Sequence, residues 1–447
     1  MSAAPPDTRP APPSPQANEP WQRRSLAALW HPCTQMARAA RTPPLPLLRG
    51  EGPWLFDAAG RRYYDANSSW WVNLFGHSDA GLNLAIRNQL DQLPHAMLAG
   101  CTHPPAVLLG EKLSALTGGA LGHCFFASDG ASAVEIALKM SFHSWRNRGL
   151  SGKRGFVCLR NGYHGETLGA LAVTDVALFR DAYDPLLLRA HVVASPDSRA
   201  GPAQEAAALR ELERLLQRRH EQIAALIVEP LVQCAAGMVM HRSSYLRGVR
   251  ALCSAHGVHL IADEIAVGCG RTGSFFAFEQ ARTDWPDFVL LAKGLSGGTL
   301  PLSVVLTTDE VYRSFWSEDT ARGFLHSHSY TGNPLACAAA NAVLDRFAHD
   351  GVLERNAAQA ALLAEAFADF AQHPRVRHLR QQGSILAFDV ADAAPGFAER
   401  FHRAAREREL LIRPIGSTVY LMPPYLIDRP AAAFLSAAVR DTLNHVD

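Results

Sequence analysis

The sequence predicts an α/β fold, a large domain on a mostly parallel central sheet joined to a smaller α+β domain. Three observations carry this. The middle of the 447-residue chain alternates short apolar runs with longer amphipathic ones, the pattern of parallel strands linked by helices. Three apolar runs end at, or lead straight into, a polar residue, namely Glu229, Asp263 and Lys293, and open parallel sheets bind ligands beyond such strand ends. From about Leu335 the character changes, with long helical stretches followed by short strands.

Taken in order, residues 1–20 are rich in proline and alanine and lack an apolar stretch, so a disordered start is expected and a secretory signal is not. Residues 21–67 are expected to form the N-terminal part of the small domain. The large domain is expected over 68–350, with strands HCFFA (123–127), FVCLR (156–160), ALIVE (225–229), VHLIAD (258–263) and FVLLA (288–292). Helical segments such as 204–220 and Tyr245–His256 lie between them. An Ala-rich helix over 335–348 leads to a second over 353–371. The C-terminal part of the small domain, 351–447, then brings the strands ILAFDV (385–390) and TVYLMPP (418–424).

Composition narrows the function classes. Hydrophobic residues make up 48% of the chain, and 43 Lys and Arg stand against 42 Asp and Glu for a net charge of +1. That balance gives no electrostatic reason to expect nucleic acid or an anionic membrane. No apolar run has membrane-spanning length. The eight cysteines are scattered without a C-x-x-C pair, which suits free thiols in a reducing cytosol. A soluble, cytoplasmic small-molecule enzyme is expected, with no metal.

Several motifs could carry chemistry. In HCFFASDGASAVEIALKM (123–140) a strand runs through a turn at Gly130 into a helix opened by Ala131 and Ser132. Free N–H groups at a helix start make an anion site, although an ordinary turn with Ser132 as N-cap fits equally. In NGYHGETLGA (161–170), Tyr163 offers a flat ring among small residues, or is simply a loop tyrosine. Asp263 ends an apolar run, where a buried carboxylate needs a partner. A protonated pyridine nitrogen, a metal or a salt bridge would each serve. Lys293 follows an apolar run and precedes glycines. A desolvated lysine is a nucleophile toward an aldehyde, and a surface-reaching lysine is the plainer alternative. His326 and His328 are a weak metal pair, whereas Ser329 and Thr331 suit a phosphate before the helix that Pro334 starts. Trp70 and Trp71, read as strand residues, would face opposite sides. Arg413 in an apolar context wants a planar anion, either a substrate carboxylate or an internal Asp.

Together these motifs resemble the class III aminotransferases of fold type I, the aspartate-aminotransferase-like fold. WHPCTQM (30–36), NSSWW, RNGYHGETLGA, ADEIAVGCGRTG, AKGLSGGTLPLS, YTGNPLACAAANA and RPIGSTVYLMPP narrow the resemblance to the branch that serves biotin biosynthesis. It runs from about Trp30 to Pro424. The resemblance implies pyridoxal 5'-phosphate as cofactor, held covalently by Lys293, which also moves the proton. It implies Asp263 on the pyridine nitrogen and Tyr163 against the ring. The phosphate would lie on Gly130 and Ala131, with Ser329 reaching over from a second subunit, and His328 would also bind the cofactor. Trp70, Trp71, Tyr163, Lys293, Ser327, Arg413 and Cys33 would form the substrate site, Arg413 taking the carboxylate. A homodimer with interfacial active sites is implied. The reaction implied is amino transfer to 8-amino-7-oxononanoate, giving 7,8-diaminononanoate, with S-adenosyl-L-methionine as donor. Two departures bear on the donor. Cys33 stands where better-known members have tyrosine, and Ser327–His328 stand where some have Gly-Pro. Lysine as donor, another ω-amino acid transaminase, a metal hydrolase using His326, His328 and Asp263, and a non-catalytic regulator are the alternatives.

Overall fold

The computed structural model describes residues 16–447. Its central feature is a seven-stranded sheet built from β1 (His123–Ala127), β2 (Gly155–Leu159), β3 (His191–Val193), β4 (Ile223–Val228), β5 (His259–Asp263), β6 (Phe288–Leu291) and β7 (Ser303–Thr307). The strand order is β1-β7-β6-β5-β4-β2-β3. Neighbours are parallel except around β7, which is antiparallel to both β6 and β1.

The strands read as unbroken apolar runs because both sheet faces are covered. Successive residues feed opposite cores. Leu226, Val228, Leu260 and Ala262 join one buried cluster, and Ile227 and Ile261 join the other. Helix Gly130–Asn147 lies on the second face and buries Val134, Ala137, Leu138 and Trp145. The five strands expected from sequence are β1, β2, β4, β5 and β6, shifted by at most two residues at an end. The sequence reading passed over β3 and β7. β7 is the short run SVVLT, which follows a Gly-rich stretch with no α-helix between, only a 3-10 turn, and so lacks the crossover signature of a parallel strand.

A third core joins the two ends of the chain. Strands Leu47–Glu51, Trp54–Asp57 and Arg62–Asp65 form a sheet with Leu410–Leu411, and Tyr64 packs with Phe367, Phe388, Phe401 and Leu435. The helices expected over 335–348 and 353–371 are Pro334–His349 and Val352–Phe367. The disordered start expected over 1–20 lies mostly outside the described residues. Within them, Asn18 already opens helix Asn18–Ala28. Among the described residues no helix is long and apolar enough to cross a membrane.

Candidate active site

The sheet order sets β4, β5 and β6 side by side. Their carboxyl ends therefore present Glu229, Asp263 and Lys293 along one edge. Lys293 follows β6 by two residues, opens a short 3-10 helix and has φ +42°, a left-handed backbone that L-residues rarely adopt. Its Nζ lies 4.8 Å from the centre of the Trp71 ring. Burial pushes the Lys293 pKa below the usual lysine value, while Asp263, Cys234 and Glu229 pull it back up. A lysine so placed yields its proton more readily than one in water.

Asp263 is 4% exposed. His164 Nδ1 stands 2.7 Å from Oδ2, and the Ile265 N–H donates to Oδ1 at 3.1 Å. The other ring nitrogen of His164, Nε2, is buried without a partner. Glu229 accepts from the backbone N–H groups of Tyr163 and Cys234, both at 3.0 Å. Burial drives its pKa up to about 7. Glu229 thus hangs the Tyr163 loop on the end of β4. The Tyr163 hydroxyl donates to Glu166 Oε1 at 2.9 Å. Its pKa is raised, first by burial and then by Glu166, with Cys33 and Asp263 close enough to add to the push.

The turn after β1 is capped by Asp129, not by Ser132. Asp129 Oδ1 accepts the Ser132 N–H at 2.9 Å, and the Ser132 hydroxyl donates to Oδ2. Gly130 and Ala131 open the helix, where N–H groups have no intrahelical acceptor. Gly130 is required for closeness, because a Cβ there would stand 3.0 Å from Ile265. Gly165 has φ +121°, and a Cβ on it would lie 2.6 Å from the Ala131 Cβ. The Tyr163 loop therefore rests directly on the helix start.

Trp70 and Trp71 do not lie in a strand. Ser68, Ser69, Trp70 and Trp71 all have positive φ, between +48° and +73°, a left-handed turn costing about 1–2 kcal/mol per residue. The turn still gives the tryptophans opposite environments. Trp71 is 5% exposed and donates from Nε1 to the Tyr420 hydroxyl at 3.0 Å. Trp70 is 49% exposed, and the Arg413 guanidinium stands 5.5 Å from its ring centre. Arg413 is exposed, and among the described residues it pairs with no carboxylate, so the internal Arg–Asp pair weighed from sequence is absent. Its N–H is held by Asn67 Oδ1 at 2.7 Å.

Cys33 is an exposed free thiol at φ +49°, placed near Tyr163. Ser327, His328 and Ser329 are not brought to Lys293. Among the described residues no hydrogen bond links them to Asp263 or Lys293. The His328 N–H donates instead to Thr331 Oγ1 at 3.1 Å. His326 lies between Lys139, 2.9 Å from Nδ1, and His328, 3.2 Å from Nε2.

Sequence reasoning missed several members of this site. His164 and Glu166 flank the Tyr163 position, and their signal was polar residues beside a candidate ring. Arg271 is fully buried and donates to the carbonyls of Pro423 at 2.6 Å and Asn73 at 2.8 Å. Nothing local in GCGRTG foretells carbonyl partners some 150 to 200 residues away.

Comparison with known proteins gives the family. The class-III aminotransferase family model matches residues 35–443. The chain is 43% identical over 409 residues to the adenosylmethionine-8-amino-7-oxononanoate aminotransferase of Helicobacter pylori, covering 90% of this chain and 92% of that one. It is similar to the crystal structure of the enzyme of that name from Methanocaldococcus jannaschii, with TM-score 0.92, 34% identity and coverage of 96% and 99%. An amine transaminase from an uncultivated Pseudomonas species, solved in its PLP-bound form, matches with TM-score 0.88 and 31% identity over 94% of this chain and 99% of that one. The fold is therefore fold type I, and this chain belongs to the class-III aminotransferases.

Proposed function

We propose that the protein transfers an amino group to 8-amino-7-oxononanoate, giving 7,8-diaminononanoate for biotin biosynthesis, with S-adenosyl-L-methionine as donor and pyridoxal 5'-phosphate as cofactor. The observation that carries the reading is Lys293, a desolvated amine beside Asp263 in a chain 43% identical to an enzyme of that name.

The residues present fit the cofactor. Asp263 is a buried carboxylate steadied by His164 and one backbone N–H, and it suits a protonated ring nitrogen. The N–H groups of Gly130 and Ala131 suit a phosphate, and Tyr163 would lie against the ring. When bound, pyridoxal phosphate supplies an electron sink for charge developing on the substrate carbon. Lys293 would hold the cofactor through Nζ, and the same amine, when free, would take and return the substrate proton, a task its lowered pKa suits. Trp71 closes one side of Nζ, limits access of water and leaves Nζ little freedom of direction. Trp70 forms an apolar wall whose face also suits a sulfonium. Arg413, without a carboxylate of its own, binds the substrate carboxylate. Cys33 shapes the mouth near Tyr163.

Ser329 acts in the partner subunit of a homodimer, with Ser327 and His328 beside it, which fits the absence of any hydrogen bond from them to Lys293 or Asp263 among the described residues. We divide the chain into a large domain, 68–350, and a small one from 21–67 and 351–447. The shared sheet and core of the two outer segments support this division. A cytoplasmic location is supported by eight free cysteines.

The test is a donor comparison. Purified protein loaded with pyridoxal phosphate is given 8-amino-7-oxononanoate with S-adenosyl-L-methionine or with lysine, and 7,8-diaminononanoate is measured. Product with S-adenosyl-L-methionine and ping-pong kinetics is expected. Product with lysine alone would change the donor. Product with neither, alongside turnover of ω-amino acids with pyruvate, would replace the reading.

A further inference from the structure

We infer that Asp65, His77 and Ser69 form a positioning unit that holds the left-handed turn 68–71, and with it the walls of the substrate site. The inference rests on the substrate roles proposed for Trp70 and Arg413.

Four consecutive left-handed residues without a glycine, Ser68 to Trp71, need an external hold. Backbone bonds do not choose the hand. Trp71 N–H to Asn67 O at 2.8 Å and Val72 N–H to Ser68 O at 2.9 Å are spacings that a right-handed turn also makes. Side chains supply the choice. The Ser68 hydroxyl donates to Met422 O at 2.8 Å, and the Ser69 hydroxyl donates to Asp65 Oδ2 at 2.7 Å. Asp65 is 1% exposed, and the same oxygen meets His77 Nε2 at 3.0 Å.

The direction of this chain follows from its far end. Asn73 Oδ1 accepts the Gly76 N–H at 2.7 Å. Its amide nitrogen therefore turns to His77 Nδ1, 3.1 Å away. An NH2 group can only donate there, so Nδ1 accepts and the ring proton resides on Nε2. Asn73 thus points His77 at Asp65, and Asp65 fixes Ser69. Neither Asp65 nor His77 touches Lys293 or Arg413. They act through the turn, which sets Trp71 over the Lys293 amine and Trp70 beside Arg413.

The test compares Ser69→Ala, His77→Ala and His77→Gln in the full chain loaded with pyridoxal phosphate. The amide nitrogen of glutamine can reach the place of Nε2. Ser69→Ala and His77→Ala are expected to raise KM for 8-amino-7-oxononanoate about tenfold with kcat within about threefold. Both should change the near-ultraviolet circular dichroism of the tryptophans, in apoprotein as well as loaded protein, at nearly unchanged Tm. His77→Gln should return KM to within about threefold of wild type. The inference is overturned if both alanine variants keep wild-type KM and dichroism. It is equally overturned if KM, kcat and Tm all worsen together and glutamine restores nothing. If wild-type protein does not turn over 8-amino-7-oxononanoate, the functional reading fails. The dichroism of the apoprotein then decides this inference alone, and unchanged spectra overturn it.

Discussion

At the scale of single residues, Lys293 and Glu264 carry opposite kinds of expectation. Lys293→Ala removes the amine placed beside Asp263. Steady-state turnover should fall by at least about 10³, while far-ultraviolet dichroism stays that of the wild type. A variant with tenth-wild-type turnover would assign the proton transfer elsewhere. Glu264 does no chemistry. It is 1% exposed and accepts the N–H groups of Ala277 at 2.6 Å and Phe278 at 2.7 Å. Burial raises its pKa to about 8 from an ordinary 4.5. The folded chain therefore holds a proton that the unfolded chain has released, and this contribution to stability is lost as pH rises toward 8. In urea unfolding measured at pH 5 and at pH 8, Glu264→Gln should shift the change in stability between the two in favour of pH 8, relative to wild type, by on the order of 1–3 kcal/mol. An unchanged slope would place the proton elsewhere. From sequence, Asp263 and Lys293 were legible because each interrupts an apolar run. Glu264 ends the same run, but its partners could not be read, since they are backbone groups that no residue type announces.

At the scale of elements, the strand-end positions were legible and the turns were not. The apolar runs of β4, β5 and β6 declare themselves, and parallel neighbours bring their ends together. The turn at Trp70–Trp71 was read as a strand because aromatic residues favour strands. Its left-handed backbone depends on Met422 and Tyr420, distant in sequence, and on Asp65 four residues before Ser69, and together these override local preference. Gly130 was singled out for a tight turn, yet its backbone is not left-handed, and what a Cβ there would meet is the Ile265 side chain. Gly165 gives the sharper expectation, because two constraints meet there. Gly165→Ala meets an unfavourable φ of +121° and a contact of 2.6 Å with Ala131. It should push the Tyr163 loop off the helix start and weaken pyridoxal phosphate binding by at least about tenfold. Fluorescence titration of the apoprotein measures this directly, and wild-type affinity would show that the loop has room to yield.

At the scale of the whole molecule, the proposed dimer is the part that one chain cannot complete. Light scattering should give a mass of at least two chains at working concentration, and a monomer that retains full turnover would remove Ser329 from the site. The fold itself has a long reach. Strand Arg62–Asp65 pairs with Leu410–Leu411. Asn67, Ser68 and Trp71 are tied to Tyr420 and Met422 across separations of 349 to 354 residues. During synthesis at roughly 5–20 residues per second, the anchors of the Trp70–Trp71 turn emerge on the order of 20–70 s after the turn they hold. The seven-stranded sheet can be complete well before then, since its last strand ends at Thr307. The nascent chain can therefore pair its sheet strands before its substrate wall is made, and a ribosome stalled before Tyr420 would hold a chain that lacks the anchors of that wall.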